Sequence, residues 1–229
     1  VSVLHGVTSP PTHWRPSAAG LALVLAAGAA FAAGTPEPAT ASHGAGPAST
    51  TVSDERAQAH AEFRRLFDAG DYAAAVEQGL KVVELTGRQG AGNGEELQVA
   101  LMNLALAQQR AGDYVAAEAG YQRVIDLIEA SGRSTSPRLA RAYAGLGLTY
   151  HAARRFDVAA TSLGRAIALN RRAEGIFNEE QLPLLEKQAD ALTELGRFEE
   201  ALLAQRYALR VVERHQGERS LAVAQQSET

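Results

Sequence analysis

The chain has 229 residues, of which 46% are hydrophobic, 21% charged and 6% aromatic, with a net charge of −4 and a pI near 5.9. Lys and Arg cluster nowhere beyond solvated helix positions, so the chain has no electrostatic footprint for a phosphate backbone and nucleic-acid binding is disfavoured. The absence of cysteine excludes disulfides, thiolate chemistry and Cys-ligated zinc together.

Residues 1–16 are irregular, with Pro10, Pro11, Pro16 and a single cation, Arg15. Ser17 to Ala33 is an uncharged Ala/Gly/Leu run that closes on Ala30-Phe31-Ala32. A positive residue, a short apolar stretch and a small-x-small ending together predict a secretory signal peptide over 1–33, cleaved after Ala32 or Ala33. The alternative is an uncleaved N-terminal membrane anchor, the run being at the short limit for spanning a bilayer; membrane association is expected only in that case. Either reading puts the rest of the chain outside the cytoplasm, periplasmic or secreted. Residues 34–53, rich in Pro, Ala, Thr, Ser and Gly, have little to bury and are expected to be a disordered linker.

From Asp54 a helical period takes over, with Ser53 or Asp54 as its cap. Its organising feature is self-similarity. Tyr72, Tyr114, Phe156 and Phe198 form one column; Ala75, Ala117, Ala159 and Ala201 a second; Val82, Val124, Ala166 and Ala208 a third; Val83, Ile125, Ile167 and Leu209 a fourth, every step being 42 residues. A period kept in step over four copies marks a stacked repeat array, in which each unit leans mainly on its neighbours, so an all-α solenoid is predicted in preference to a bundle. The copies span 54–95, 96–137, 138–179 and 180–221, with 222–229 a partial helix or cap.

Each copy reads as helix A, a tight turn, helix B and a polar loop. In the second, helix A covers about Leu97 to Arg110 and helix B about Val115 to Glu129. The turns fall at Gly70-Asp71, Gly112-Asp113, Arg154-Arg155 and Gly196-Arg197; a helix end commonly needs a left-handed residue, so the third, lacking Gly, is expected to be less comfortable. Loops between copies are expected at Gly87 to Gly94, Ser131 to Ser136, Glu174 to Glu180 and Gln216 to Ser220, with Pro137 and Pro183 in the first turns that follow. The alanine column lets helix B approach helix A, the aromatic column fills the turn, and the aliphatic columns enter the seams.

No catalytic, metal or cofactor-binding residues emerge. The six histidines show no zinc-binding spacing, no Gly-rich loop follows a strand, and no serine stands in a nucleophile elbow, so the chain is expected not to be an enzyme and to need no cofactor.

Leu146-Gly147, Tyr150, Ala159 and Ala166 in the third copy, with Leu104, Ala117 and Tyr121 in the second, resemble the tetratricopeptide repeat signature. The 42-residue step, longer than the usual ~34, resembles the kinesin light chain variety, whose Gly-rich loops are matched by Pro137 to Ala140 and Gly217 to Ala224. Glu62-Phe63 and Gln188-Ala189 depart from the Leu-Gly pair in the first and fourth copies. The resemblance covers about Asp54 to Ala224 and implies a right-handed superhelical solenoid of helix-turn-helix repeats whose helices A line a groove for a protein or peptide partner.

Carried over position by position, that groove comprises His60, Arg64 and Phe67 in the first repeat and Val99, Met102, Asn103, Leu106, Gln109 and Arg110 in the second. The third contributes Arg141, Ala144, Leu148 and His151, and the fourth Glu186, Lys187, Asp190, Thr193 and Glu194. Asn103 matches an asparagine that holds a bound peptide's backbone in such repeats. Met102, Leu106 and Leu148 either form an apolar anchor pocket or pack between helices A. Glu186, Asp190 and Glu194 recur every four residues as an acidic stripe, either a solvated face or a selector for basic segments. The expected function is a non-enzymatic scaffold; the alternative is a structural array that self-associates as a homo-oligomer through its C-terminal end.

Overall fold

The computed structural model describes residues 47–88, 94–133 and 135–227, with side chains from Thr51 to Gly217. The signal or anchor segment and the first part of the linker lie outside these residues. The described chain is a succession of helices: α1 (Pro47–Asp68), α2 (Tyr72–Arg88), α3 (Gly94–Arg110), α4 (Tyr114–Ala130), α5 (Pro137–Ala152), α6 (Phe156–Glu174), α7 (Leu182–Glu194) and α8 (Phe198–Ser227), with a 3₁₀ turn at Glu179–Gln181 before α7. Each helix packs on the next in chain order, and helices A also touch across repeats, α3 with α5 and α5 with α7. That neighbour-to-neighbour pattern is a solenoid.

The 42-residue step is physical. Each helix B opens on its aromatic residue, Tyr72, Tyr114, Phe156 or Phe198. Ala75, Ala117 and Ala159 are 0% exposed and Ala201 4%, because helix A crosses directly over them. Each turn repeats one hydrogen-bond pair: the amides of Gly70 and Asp71 donate to the carbonyls of Phe67 and Leu66, and the same pairs recur at Gly112-Asp113, Arg154-Arg155 and Gly196-Arg197. This six-to-one closure needs a left-handed residue. Gly70, Gly112 and Gly196 supply φ of +79°, +86° and +73°, and Arg154 adopts +59°, alone among the described non-glycine residues in having positive φ. The third turn is strained as its sequence implies.

The core is built across repeats rather than within them. Leu101, Met102 and Ala105 of α3 meet Tyr121, Val124, Ile125 and Ile128 of α4 and Leu139, Ala142 and Leu146 of α5. A second cluster joins Leu163, Ala166 and Ile167 of α6 to Leu184, Leu185 and Leu192 of α7 and Ala201 and Ala204 of α8. A lone hairpin cannot bury both faces of its helices, so each repeat completes its neighbour's core.

Two expectations are corrected. Helix α1 begins at Pro47, seven residues inside the expected linker; extending an existing helix adds one hydrogen bond per residue fixed, and proline is tolerated at the first helical position. The loop expected at Gln216 to Ser220 is helix, because α8 runs unbroken to Ser227 and absorbs the expected C-terminal cap. The two glycines that end earlier helices B, Gly132 and Gly175, turn the chain with φ of +73° and +95°. Gly217 stays in the helix, which runs on to Ser227.

Candidate partner-binding face

The residues assigned to the groove divide by burial. Met102 and Leu106 are each 6% exposed, and Phe67 is equally enclosed, against Phe63 and the edge of Tyr72. These three belong to the core: of the two readings for Met102 and Leu106, packing prevails over an anchor pocket, and only Leu148 of that set stays half-exposed. His60, Asn103, Gln109, Arg110, Arg141, Ala144, His151, Glu186 and Lys187 are half-exposed; Arg64, Val99, Asp190, Thr193 and Glu194 are exposed.

Polar pairing separates the repeats further. Arg64, Asn103, Gln109, Arg110 and Arg141 make no hydrogen bond or ion pair in the described structure. Arginines elsewhere are mostly engaged. Arg56 pairs with Glu96 and Arg133 with Glu95, while Arg138 lies 3.0 Å from Glu95. Arg155 lies 2.6 Å from Glu118 and stacks on Tyr150, whose hydroxyl donates to the same Glu118 at 2.8 Å. The helices A of the first three repeats thus present several unpaired donors together, while Arg123, Arg172 and Arg206 are unpaired singly on helices B.

The fourth repeat differs. Lys187 Nζ lies 3.1 Å from Asp190 Oδ2 and 4.0 Å from Glu186, and Arg154 reaches Glu194 at 3.9 Å. The acidic stripe exists, yet each carboxylate has a cation beside it, so little of its charge is left to select a basic segment.

Burial disfavours the charged form of both groove histidines. Burial lowers the pKa of His60, helped by Arg64 and Arg56. Burial also lowers that of His151, helped by Lys187 and opposed by Asp190 and Glu194. His151 Nε2 is enclosed without a hydrogen-bond partner, its ring edge-on to Phe156 at 5.6 Å. These contacts bring His151 together with the α7 residues; His60 stands apart, with the arginines of α1. Among the described residues no three His, Asp or Glu side chains gather to hold a metal ion, and no helix is long and apolar enough to cross a membrane.

Sequence reasoning missed one polar cluster. Gln181 is fully buried, its amide donating to the carbonyl of Gly175 at 3.0 Å, while the Tyr207 hydroxyl is shared between Gln181 Oε1 and the carbonyl of Ile176. His215 Nε2 donates to the carbonyl of Phe177 at 2.6 Å. Together they bind the loop before α7 to α8. Glutamine in an acidic loop gave no signal of this. A cleft of about 470 Å³ also opens among α6, α7 and α8, lined in part by Gly164, Ala168, Gln188 and Leu203, and none of the groove residues lines it.

No curated protein sequence matches the chain. The tetratricopeptide repeat family model matches residues 96–172. Among solved structures, the chain resembles a putative kinesin light chain with nearly identical TPR-like repeats from Podosopora anserina, at 20% identity and a TM-score of 0.59 over 70% of this chain and 76% of that one. It also resembles BtubC (BKLC) from P. vanneervenii, at 18% identity and a TM-score of 0.50 over 71% of this chain and 74% of that one. The apo form of RapI shares 9% identity with a TM-score of 0.62, covering 74% of this chain and 60% of RapI. At such identities the likeness is one of fold. The central repeats, residues 96–172, thus match the tetratricopeptide repeat family model in sequence, and about 70% of the chain shares the fold of kinesin light chain-like TPR repeats.

Proposed function

We propose that the chain is a non-enzymatic scaffold that holds an extended segment of a protein partner across the helix-A face of its first three repeats. The observation that carries this reading is the set of unpaired donors on α1, α3 and α5: Arg64, Asn103, Gln109, Arg110 and Arg141. Of these, the half-buried Asn103, Gln109, Arg110 and Arg141 gain a bond when a ligand carbonyl or carboxylate arrives with less side-chain entropy to lose than the exposed Arg64. Loss of the anchor pocket to the core shifts the expected recognition from apolar side chains to backbone and acidic groups. The apolar run at 17–33 supports action outside the cytoplasm, which N-terminal sequencing of exported protein tests.

The test is a crosslinked pull-down followed by affinity measurement on the captured partner. Asn103→Ala, Arg110→Ala and Arg141→Ala combined should weaken binding at least tenfold while circular dichroism stays unchanged. Equal affinity for the triple variant overturns the groove reading. A second reading, self-association through the C-terminal end, is favoured by the exposed apolar residues Phe198, Leu202 and Leu209 of α8.

A further inference from the structure

In the interior repeats the aliphatic column that ends at Leu209 is covered by the next helix A: Ile125 is 1% exposed and Ile167 6%. Leu209 itself is 56% exposed, Leu202 46% and Phe198 67%. With Gln205 and Val212 these residues recur at i, i+4, i+7, i+11 and i+14, which places them on one stripe of α8. The adjoining side, through Ala201, Ala204 and Val211, is buried against α7. Helix α8 therefore presents an apolar face of the kind that the second and third repeats keep under a neighbouring helix.

The charges flanking the stripe say what fits it. Glu199, Arg206, Arg210 and Glu213 lie along one flank, acidic at its start, basic through its middle and acidic again at Glu213. Glu199 and Arg206 have no hydrogen bond or ion pair in the described structure, whereas the adjacent Arg197 and Glu200 are joined at 2.6 Å. Arg210 is engaged only with the Tyr207 ring, 5.7 Å from its centroid. When two helices pack antiparallel, like flanks face one another, so such a flank is complementary to itself after a two-fold rotation.

We propose that this face is covered by α8 of a second copy of the chain, packed antiparallel about a two-fold axis passing between Leu202 and Gln205. The inference rests on the self-association reading and adds to it the interface and its geometry. In that register Phe198 of one copy lies against Leu209 of the other, Leu202 and Gln205 meet at the axis, and Glu199 faces the partner's Arg206 and Arg210. The partner's α8 covers this face as the next helix A covers the matching face in the second and third repeats, and both carboxylate and guanidinium find the counter-charge they lack in the free chain.

Analytical ultracentrifugation of the full chain over a range of concentrations tests this, with circular dichroism melts as the control for folding. The expected result is a reversible dimer that Leu209→Glu converts to a folded monomer. Glu199→Arg should weaken dimerisation about tenfold, and Glu199→Arg combined with Arg206→Glu and Arg210→Glu should restore it. A monomer at every concentration, or a dimer indifferent to Leu209→Glu, overturns the proposal and self-association through this end with it. A dimer lost on Leu209→Glu but indifferent to charge reversal at Glu199 overturns the antiparallel pairing alone.

Discussion

Gly147 gives a sharp test of the packing within a repeat, because two effects of opposite sign meet there. It lies inside α5, where replacing glycine with alanine ordinarily stabilises a helix by about 1 kcal/mol. A Cβ at this position, however, would stand 2.7 Å from Leu163 Cγ and 3.0 Å from the Leu163 backbone nitrogen of α6. Carbon contacts are relaxed at about 3.5–4.0 Å, so α5 and α6 must separate by roughly 0.5–1 Å. Leu163 can turn its side chain but not its backbone. Overpacking of this kind costs about 1–3 kcal/mol, leaving Gly147→Ala destabilising by up to about 2 kcal/mol once the helix gain is subtracted. At about 2–4 °C per kcal/mol for an array of this size, the melting temperature should fall by up to about 8 °C. Gly217→Ala is the counterpart: inside α8, with nothing within 4 Å of the added carbon, it should raise helicity without lowering Tm. A thermal melt by circular dichroism reads both. If Gly147→Ala raised Tm as an unhindered helical Gly→Ala change does, α5 and α6 would not meet as described, and the helix-A to helix-B contact within the third repeat would fail.

Two further outcomes follow from local geometry. Asp113 Oδ1 accepts from the Ala116 amide at 3.0 Å and caps α4, so Asp113→Ala should cost about 1 kcal/mol in a urea titration; Arg155→Ala, at the same place in the third repeat but with no side-chain cap to lose, should act only through its contacts with Glu118 and Tyr150. His60 and His151 both have folded pKa values below their ordinary 6.5, so the folded chain binds fewer protons than the unfolded chain in the window just beneath that value. Stability should therefore fall as pH drops below about 6.5, and His60→Gln with His151→Gln should flatten that part of the profile; an equally steep profile in the double variant would falsify the assignment.

How far the architecture could be read in advance depends on what each residue needs from its surroundings. Tyr72, Tyr114, Phe156 and Phe198 open their helices, and the alanine column is buried, because those roles are met within a hairpin and its near neighbour, where a 42-residue step is as visible in the chain as in space. The strain at Arg154 was legible for the same reason: a turn closed by an amide bonding five residues back asks for a left-handed residue wherever it occurs. Burial of Met102 and Leu106 was not legible. An apolar residue on helix A serves equally as a groove lining or as a seam between helices, and the choice rests on how closely α3 and α5 approach. The end of the array was hidden more deeply still, since Gly217 carries the same turn signal as Gly175 and yet stays helical. A glycine permits a bend without requiring one: at Gly132 and Gly175 the bend brings the next helix A back to bury apolar surface, whereas at Gly217 the helix runs on to Ser227.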